Sequence, residues 1–357
     1  MRRNLSRFVF VAAVTLAAVT AFAGLRFLIT HGAFAAVPQG FAGTCRSVNL
    51  TGPGDIALDR QTKTAFIAAS DRRALQAGRP SPADGLYSYD YGKPDARPVR
   101  LAGMPKDFHP QAVALHRDRG GLTLFVVNRL ASGDSVVDVF AAIVRDGVPA
   151  LEETGRIASG LLASPDAVAA VDGARFYVAN RYGAKTDLGR RFDDALGLPR
   201  ANVLFFDGTT FRVAAKGLAS PAGVAVSPDG KYLYVTEGYS RRLIAFLRDP
   251  MAGKLKEEGR LALSANPAGA AFDAAGNLWI AGSPKALAVG TFRADQNRPA
   301  SSVVYRVSLE DGLPQGYEQV YADRGAAIGA AAAAAADGKR LFVGSALDGK
   351  FLDCTMP

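Results

Sequence analysis

The sequence has very few of the residues that build compact metal and thiol sites. Among its 357 residues there are two cysteines, three histidines and one tryptophan. No Cys-x-x-Cys or His-Glu-x-x-His spacing occurs, and both a Walker phosphate loop and a Gly-x-Ser-x-Gly nucleophile elbow are missing. The sequence therefore contains none of the signatures of the common zinc proteins, nucleotide hydrolases and serine hydrolases.

Long runs of like charge are missing too, although the net charge is +9. Four of the arginines lie in the first 36 residues, and no stripe of basic residues is interleaved with aromatic ones. Surfaces that bind nucleic acid usually carry such a run or stripe. We therefore expect no nucleic-acid partner.

The N-terminus carries an export signal. The basic segment MRRNLSR precedes an uncharged stretch at residues 8–25, and Ala-Phe-Ala occurs at 21–23 and again at 33–35. These features mark a cleavable signal peptide, but an apolar stretch of about 18 residues also just spans a bilayer. Residues 1–36 are thus a signal peptide or a membrane anchor. The body, residues 37–357, is expected to be exported to the periplasm or the extracellular space.

The two cysteines, Cys45 and Cys354, lie at opposite ends of that body. In an oxidising compartment a cysteine pair that brackets a fold is typical of a disulfide. We predict that Cys45 and Cys354 are bonded.

An internal repeat determines the predicted fold. A Pro or Gly start, a short apolar strand, a turn with Asp or Gly and a second apolar strand recur at spacings of roughly 45 to 60 residues. The six copies begin at Gly54, Pro110, Pro165, Pro221, Pro267 and Gly329. Repeats of this length are typical of propeller blades. We predict an all-β, six-bladed β-propeller in which the second strand of each copy is covered on both faces.

Two segments need separate interpretation. The seven alanines at 330–336 favour a helix by intrinsic propensity. The ADGKRLFVGS that follows matches the other copies, however, so an inner strand is predicted there. Residues 185–200 fit no blade and are predicted to form a helix over one face of the propeller.

An ordered set of motifs lies between the two cysteines. It comprises TGPGDIAL, FHPQAVALH, LFVVN, SPDAVAAV, FYVANRYG, NLWIAGSP, NRPASSVVYRV and YEQVYADRG. With this set the sequence resembles the paraoxonase/arylesterase family from about Cys45 to Cys354. The string SPDGKYLYVTE is less specific, because it is similar to strings in strictosidine-synthase-like and gluconolactonase-like propellers. The resemblance implies a six-bladed propeller that is exported, hydrolyses lactones and aryl esters, and holds one structural and one catalytic calcium in its central tunnel.

The resemblance implies that the structural calcium site is retained. The carboxylates of Asp55 and Asp166 and the backbone carbonyl of Val113 match its ligands, and calcium takes oxygen ligands. Asp55, Gln111 and Asp166 also stand at the same position of three successive repeats, which independently favours convergence on the axis. One structural ion is expected. The open alternative is that the two aspartates accept backbone N–H bonds or cap turns.

The catalytic calcium is not expected. Its ligand positions match Gly54, Pro165, Ala222, Ala268 and Gly269, and none of these has a side-chain oxygen. The histidine pair of the family matches Gln111 and Arg129, and a further active-site histidine matches Ser283, so the general base is missing as well.

No catalytic residue is assigned with this pattern. The tunnel candidates are Gln111, Arg129, Asn180, Arg181, Glu237 and Ser283, together with the two aspartates. Arginines at these positions favour an anionic ligand. The alternative is that Arg129 and Arg181 pair with Asp55, Asp166 or Glu237. His109 is either a displaced base or an ordinary surface histidine.

Three functions stay open at this stage. The first is an ester or lactone hydrolase by ancestry, with activity that is weak, altered or lost. The second is a non-catalytic propeller that binds a small anionic ligand or a protein partner at the tunnel mouth. The third is a metal-free, strictosidine-synthase-like enzyme with Glu237 as its acid and base. We expect a monomer that meets a membrane only through its N-terminal segment.

Overall fold

The computed structural model describes residues 2–37, 39–145 and 148–357. It begins with helix α1 (Arg2–Thr30), and the side chains of its apolar stretch Phe10–Ile29 are not buried. By length and composition alone, this stretch is suited to crossing a membrane. The described residues then form six four-stranded antiparallel sheets, which confirms the six-bladed propeller.

The first three blades follow the chain without interruption. Blade 1 comprises β2 (Pro53–Asp59), β3 (Thr64–Ala69), β4 (Gly85–Asp90) and β5 (Val99–Arg100). Blade 2 comprises β6 (Pro110–Asp118), β7 (Gly121–Arg129), β8 (Ser135–Arg145) and β9 (Val148–Ala158). Blade 3 comprises β10 (Pro165–Ala170), β11 (Phe176–Asn180), β12 (Ala201–Phe206) and β13 (Phe211–Leu218). In each blade the first strand is the inner one, nearest the axis.

The other three blades close the ring. Blade 4 comprises β14 (Pro221–Val226), β15 (Tyr232–Glu237), β16 (Arg242–Arg248) and β17 (Leu255–Ala262). Blade 5 comprises β18 (Asn266–Phe272), β19 (Leu278–Ser283), β20 (Ser302–Glu310) and β21 (Leu313–Asp323). Blade 6 comprises β22 (Ala333–Asp337), β23 (Arg340–Gly344), β24 (Lys350–Thr355) and, on its outer edge, β1 (Thr44–Asn49).

Blade 6 is therefore built from both ends of the chain. Strand β1 pairs antiparallel with β24, and Cys45 lies directly opposite Cys354. The two cysteines are bonded, which confirms the predicted disulfide. The alanine run also forms the predicted inner strand, although β22 begins only at Ala333, after Ala330 has adopted a positive φ of 52°.

The hydrophobic core lies between the blades. Six clusters of buried residues each join consecutive blades around the ring. The second strands are almost fully buried, as predicted; in β11 and β19 every residue is buried. Burying a large apolar side chain contributes roughly 1.5–3 kcal/mol, so the facing apolar strands hold neighbouring blades together.

Three short helices lie on one face of the propeller. They are α2 (Arg72–Gln76), α3 (Asp187–Leu196) and α4 (Ala286–Ala294), which connect the second strand to the third in blades 1, 3 and 5, respectively. The helix predicted at 185–200 is thus confirmed with shorter bounds. It begins at the N-cap Thr186, whose hydroxyl accepts the N–H of Gly189, and ends at Gly197 in a left-handed conformation (φ 61°).

Candidate functional site

A cavity of about 260 Å³ lies on the propeller axis, surrounded by the inner strands. Its walls are mostly small apolar residues, because glycine and alanine let inner strands approach each other closely. The polar residues are concentrated at its two ends. One end, where the inner strands begin, carries Asp55, Arg72, Gln111, Asp166 and Arg181. The other end carries Arg60.

A β-bulge near the start of the inner strands sets the polar end. In blades 1 to 4 the pairing with the second strand shifts immediately after the first proline, at Gly54, Gln111, Asp166 and Ala222. A bulge leaves one residue unpaired and redirects its side chain. Gln111 and Asp166 are thus structurally equivalent, but their counterpart in blade 1 is Gly54. The prediction that Asp55 shares their repeat position was wrong by one residue, because the first repeat starts at Pro53.

Asp55 nevertheless reaches the cavity and joins blades 1 and 2. Its Oδ1 accepts the N–H of Ile56 at 2.9 Å, and its Oδ2 accepts the N–H of Val113 at 2.9 Å. Burial raises the pKa of Asp55 to about 6, against the lowering effect of those two hydrogen bonds and of Arg72. The carboxyl is therefore protonated more readily than an ordinary aspartate.

This raised pKa predicts a stability that depends on pH. A carboxyl with a pKa of about 6 when folded and 3.8 when unfolded stabilises the fold fully below pH 3.8, and this stabilisation is lost as pH rises through 6. We expect the loss to be about 3 kcal/mol in the wild type and to vanish in Asp55→Asn. Urea unfolding of both proteins between pH 4 and pH 7 measures it. Asp95→Asn, at an exposed carboxyl, is the control. A constant difference between wild type and Asp55→Asn across this range would contradict the assignment.

Asp166 is paired with two arginines. Its Oδ2 accepts a hydrogen bond from Nη1 of Arg181 at 2.9 Å, and its Oδ1 lies 3.9 Å from Nη1 of Arg72. Burial alone would raise its pKa, but Arg181 and Arg72 lower it below the usual value. Asp166 is therefore an anion under ordinary conditions. Arg181 is thus paired with Asp166, which is the charge pairing that the sequence analysis left open for it.

Three arginines converge on this end of the cavity from the helical face. Arg72 begins α2, Arg181 follows β11 and Arg293 lies in the last turn of α4. Burial and the neighbouring charge of Arg181 lower the pKa of Arg293, which shows that these cations are close enough to repel. Against the two aspartates, the group has an excess of positive charge.

Three of the tunnel candidates lie outside the cavity. They occupy equivalent positions in three blades, each at the end of the second strand of its blade. Asn180 accepts the N–H of Ser164 and donates to the carbonyl of Leu161. Glu237 accepts the N–H of Ala219 and is ion-paired with Arg242. Neither lines the cavity, because each side chain turns inside its blade to tie down the segment before the inner strand. Glu237 is fully buried and so does not fit the proposed acid and base role.

The third residue of this set, Ser283, is also buried, and its hydroxyl contacts no hydrogen-bond partner among the described residues. Asn128 in blade 2 is the equivalent that sequence reasoning missed, and its Oδ1 accepts the N–H of His109 at 2.8 Å. The shared repeat position is the signal that identifies Asn128, Asn180 and Glu237 as structural.

Arg129 and His109 lie in and next to blade 2, away from the cavity. The N–H of Arg129 donates to the carbonyl of His109, and the Arg129 side chain does not line the cavity. His109 is buried, not at the surface. Its Nδ1 lies 2.7 Å from Oδ2 of Asp84 and its Nε2 lies 3.2 Å from Oδ1 of Asp107. It is therefore engaged by two carboxylates away from the cavity.

The residues at the expected calcium positions do not match the needs of that ion. Gly54, Ala222, Ala268 and Gly269 line the cavity and contribute no side-chain oxygen. The oxygens of Asp55 accept backbone N–H groups, and those of Asp166 face guanidinium groups. Calcium takes six to eight oxygens, and the described part of the chain holds no cluster of three or more His, Cys, Asp and Glu side chains suited to a metal.

Sequence reasoning missed two residues that line the cavity, Arg60 and Arg72, and also Arg293, which lies close to Arg72. Arg72 and Arg293 come from helices outside the repeated strand pattern, so no alignment of the blades identifies them. One signal was available for Arg72: it comes three residues after the second strand of blade 1, near the end at which Arg129 and Arg181 lie in blades 2 and 3.

Comparison with known proteins agrees with the fold. The family model described as Arylesterase matches residues 62–356. The human serum paraoxonase/arylesterase 2 is 28% identical over 280 residues, covering 75% of this chain and 76% of the human protein.

Solved propeller structures are similar in fold at low sequence identity. A gluconolactonase from Xanthomonas campestris has a TM-score of 0.51 at 19% identity and covers 90% of this chain and 95% of its own. The calcium-binding protein regucalcin from Agrobacterium tumefaciens has a TM-score of 0.51 at 14% identity and covers 90% of this chain and 97% of its own.

Proposed function

Because this chain belongs to the arylesterase family, we propose that it is an exported hydrolase-type propeller whose axial cavity binds a small organic anion. The relatives and the gluconolactonase-like neighbours support the hydrolase-type ancestry. The arginines at the polar end of the cavity support the anion. Guanidinium groups bind carboxylates through charge-assisted, often paired, hydrogen bonds.

One observation carries the choice of an anion. The guanidinium groups of Arg72 and Arg181 both line the polar end of the cavity, and with the nearby Arg293 they outnumber the carboxylates of Asp55 and Asp166. Uncompensated charge in a poorly solvated site is costly. A carboxylate placed between the two guanidinium groups would balance the positive excess.

The rest of the cavity limits what the anion can be. A volume of about 260 Å³ corresponds to roughly nine water molecules. Beyond the arginines the walls are largely alanine, including Ala57, Ala114 and Ala225. We infer a molecule with one anionic group at the arginine end and a compact apolar body along the axis.

This role predicts discrimination between an acid and its neutral analogue. We expect phenylacetate to bind at least about tenfold more tightly than phenylacetamide, and Arg181→Gln to weaken phenylacetate binding by roughly tenfold or more, since a hydrogen bond to a charged group is worth about 1.5–3 kcal/mol. Isothermal titration calorimetry measures both. Affinity should also rise as pH falls towards 6, because protonation of Asp55 removes a competing negative charge.

Arg191→Gln is the matched control, since Arg191 is exposed on α3, outside the cavity. It should bind phenylacetate like the wild type. Equal binding of the acid and the amide, or an unchanged affinity in Arg181→Gln, would refute an anion site at the arginines.

A structural calcium is the competing assignment for the same end of the cavity. Family membership and the likeness to regucalcin favour it, and Asp55, Val113 and Asp166 do border one cavity. The engaged carboxylates and the nearby arginines oppose it. The prediction of one structural ion therefore stays a prediction, and a calcium count on the purified protein decides it.

The disulfide and the apolar helix α1 support export. The end of α1 contacts the helical face of the propeller, where the ring of His31 lies 5.3 Å from that of Tyr239. We propose that a retained α1 would hold the propeller at the membrane with this face towards the bilayer, and that a cleaved α1 would release it to the periplasm or the extracellular space.

A further inference from the structure

The side chain of Arg72 places a positive charge between the first three blades. It is the first residue of α2, and only 16% of its side chain is exposed. Its Nη2 donates to the backbone carbonyl of Gln111 in blade 2 at 3.0 Å, and its Nη1 lies 3.9 Å from Oδ1 of Asp166 in blade 3. One guanidinium group from blade 1 therefore contacts both of the next blades.

The residue below this guanidinium is Gly54. A Cβ at this position would lie 2.8 Å from Nη2 of Arg72 and 3.3 Å from Cβ of Ala346. Any side chain at position 54 would thus compete with Arg72 for the same space. The position that the family resemblance matches to a ligand of the catalytic calcium is therefore a glycine in this chain, and the guanidinium of Arg72 occupies the space beside it.

No further cation is needed near Arg72. Asp55 and Asp166 are opposed by Arg72 and Arg181, all of which line one end of the cavity, and Arg293 lies close to them. Adding a divalent cation would raise the existing excess of positive charge from one to three in a poorly solvated site, where uncompensated charge is costly. The guanidinium and the ion therefore exclude each other.

We infer that the guanidinium of Arg72 takes the structural role of a metal ion at the propeller axis, so that the fold of this chain does not depend on calcium. The expected effect of Arg72 is on stability, and it does not depend on whether the cavity binds the anion proposed above. A side chain of the same chain then takes the place of the ion.

The test compares four proteins: the wild type, Arg72→Ala, the double variant Gly54→Glu/Arg72→Ala, and the control Arg79→Ala, at an exposed arginine just beyond α2. Calcium per chain is measured by atomic emission spectroscopy after gel filtration. Melting temperature is measured by circular dichroism in excess calcium and in excess chelator.

We expect the wild type and Arg79→Ala to retain no stoichiometric calcium and to melt alike in both conditions. Arg72→Ala should melt at least about 5 °C lower in chelator, because the carbonyl of Gln111 loses its donor and Asp166 loses one of its two facing arginines. Excess calcium should restore part of this loss. The double variant, with a third carboxylate and free space, should bind calcium and melt higher with it.

Calcium retained by the wild type, or a lower wild-type melting temperature in chelator, would overturn the inference. Arg72→Ala melting like Arg79→Ala would overturn it too. If Arg72→Ala does not fold, Arg72→Lys keeps the charge and should still melt alike in calcium and chelator. Calcium-dependent melting of Arg72→Lys would then count against Arg72 as the replacing cation.

Discussion

Purified wild-type protein should hydrolyse phenyl acetate and simple lactones at least about 10⁴-fold more slowly than a relative that keeps the family's metal ligands and base. A bound metal ion stabilises the oxyanion of ester hydrolysis by several kcal/mol, and each 1.4 kcal/mol is about tenfold in rate. A positioned general base contributes roughly another 10²–10⁴-fold. The cavity offers neither at Gly54, Gln111, Ala222, Ala268 or Gly269.

The measurement is kcat/KM for both substrates, with a family member that has those metal ligands and that base assayed beside it as the reference. Any residual turnover should be unchanged by chelator at a temperature where circular dichroism shows the fold intact. Turnover comparable to the reference and abolished by chelator would show that other residues of this chain hold a catalytic calcium. It would also refute the inference that no metal ion is bound at the propeller axis.

Removing the disulfide should have the largest effect on stability. The bond between Cys45 and Cys354 closes a loop with a sequence separation of 309 residues. By chain entropy such a cross-link contributes up to roughly 5 kcal/mol. We expect Cys45→Ala/Cys354→Ala to unfold at a markedly lower urea concentration than the wild type, and its free energy of unfolding to fall by up to this amount.

Reduced wild-type protein is the matched control, because it has the same chain without the cross-link. It should unfold at the same urea concentration as the double variant, at any reductant concentration that reduces the disulfide completely. A double variant that unfolds at the same urea concentration as the oxidised wild type would show that β1 holds blade 6 without covalent help.

The fold could be predicted from the sequence because its signal is repeated. Six copies of one strand pair constrain each other, so even the alanines of β22, which favour a helix locally, were assigned correctly from the strand that follows them. The one-residue bulge near Pro53 could not be placed in the same way. Pro53 and Gly54 are both acceptable starts, and the choice between them depends on pairing with β3 in three dimensions.

The site was only partly predictable for a different reason. Asp55, Gln111, Val113, Asp166 and Arg181 lie on or beside the repeated strands, so the register brings them to the axis. Arg72 reaches the axis through a five-residue helix that the repeat does not contain. Asn180 and Glu237 follow the register equally well, yet they turn into their blades to satisfy buried N–H groups, and a strand pattern does not report that direction.

The shared construction of blade 6 has a consequence for how the chain is made. Blades 1 to 5 come from one continuous stretch, Pro53 to Asp323, and can assemble in order as the polypeptide emerges. Strand β1 is synthesised before all of these blades but has to wait for β24, which follows all of them in the sequence. Ring closure is thus the last step in assembling the propeller. Oxidation of the two thiols then marks only those molecules whose first and last strands have met.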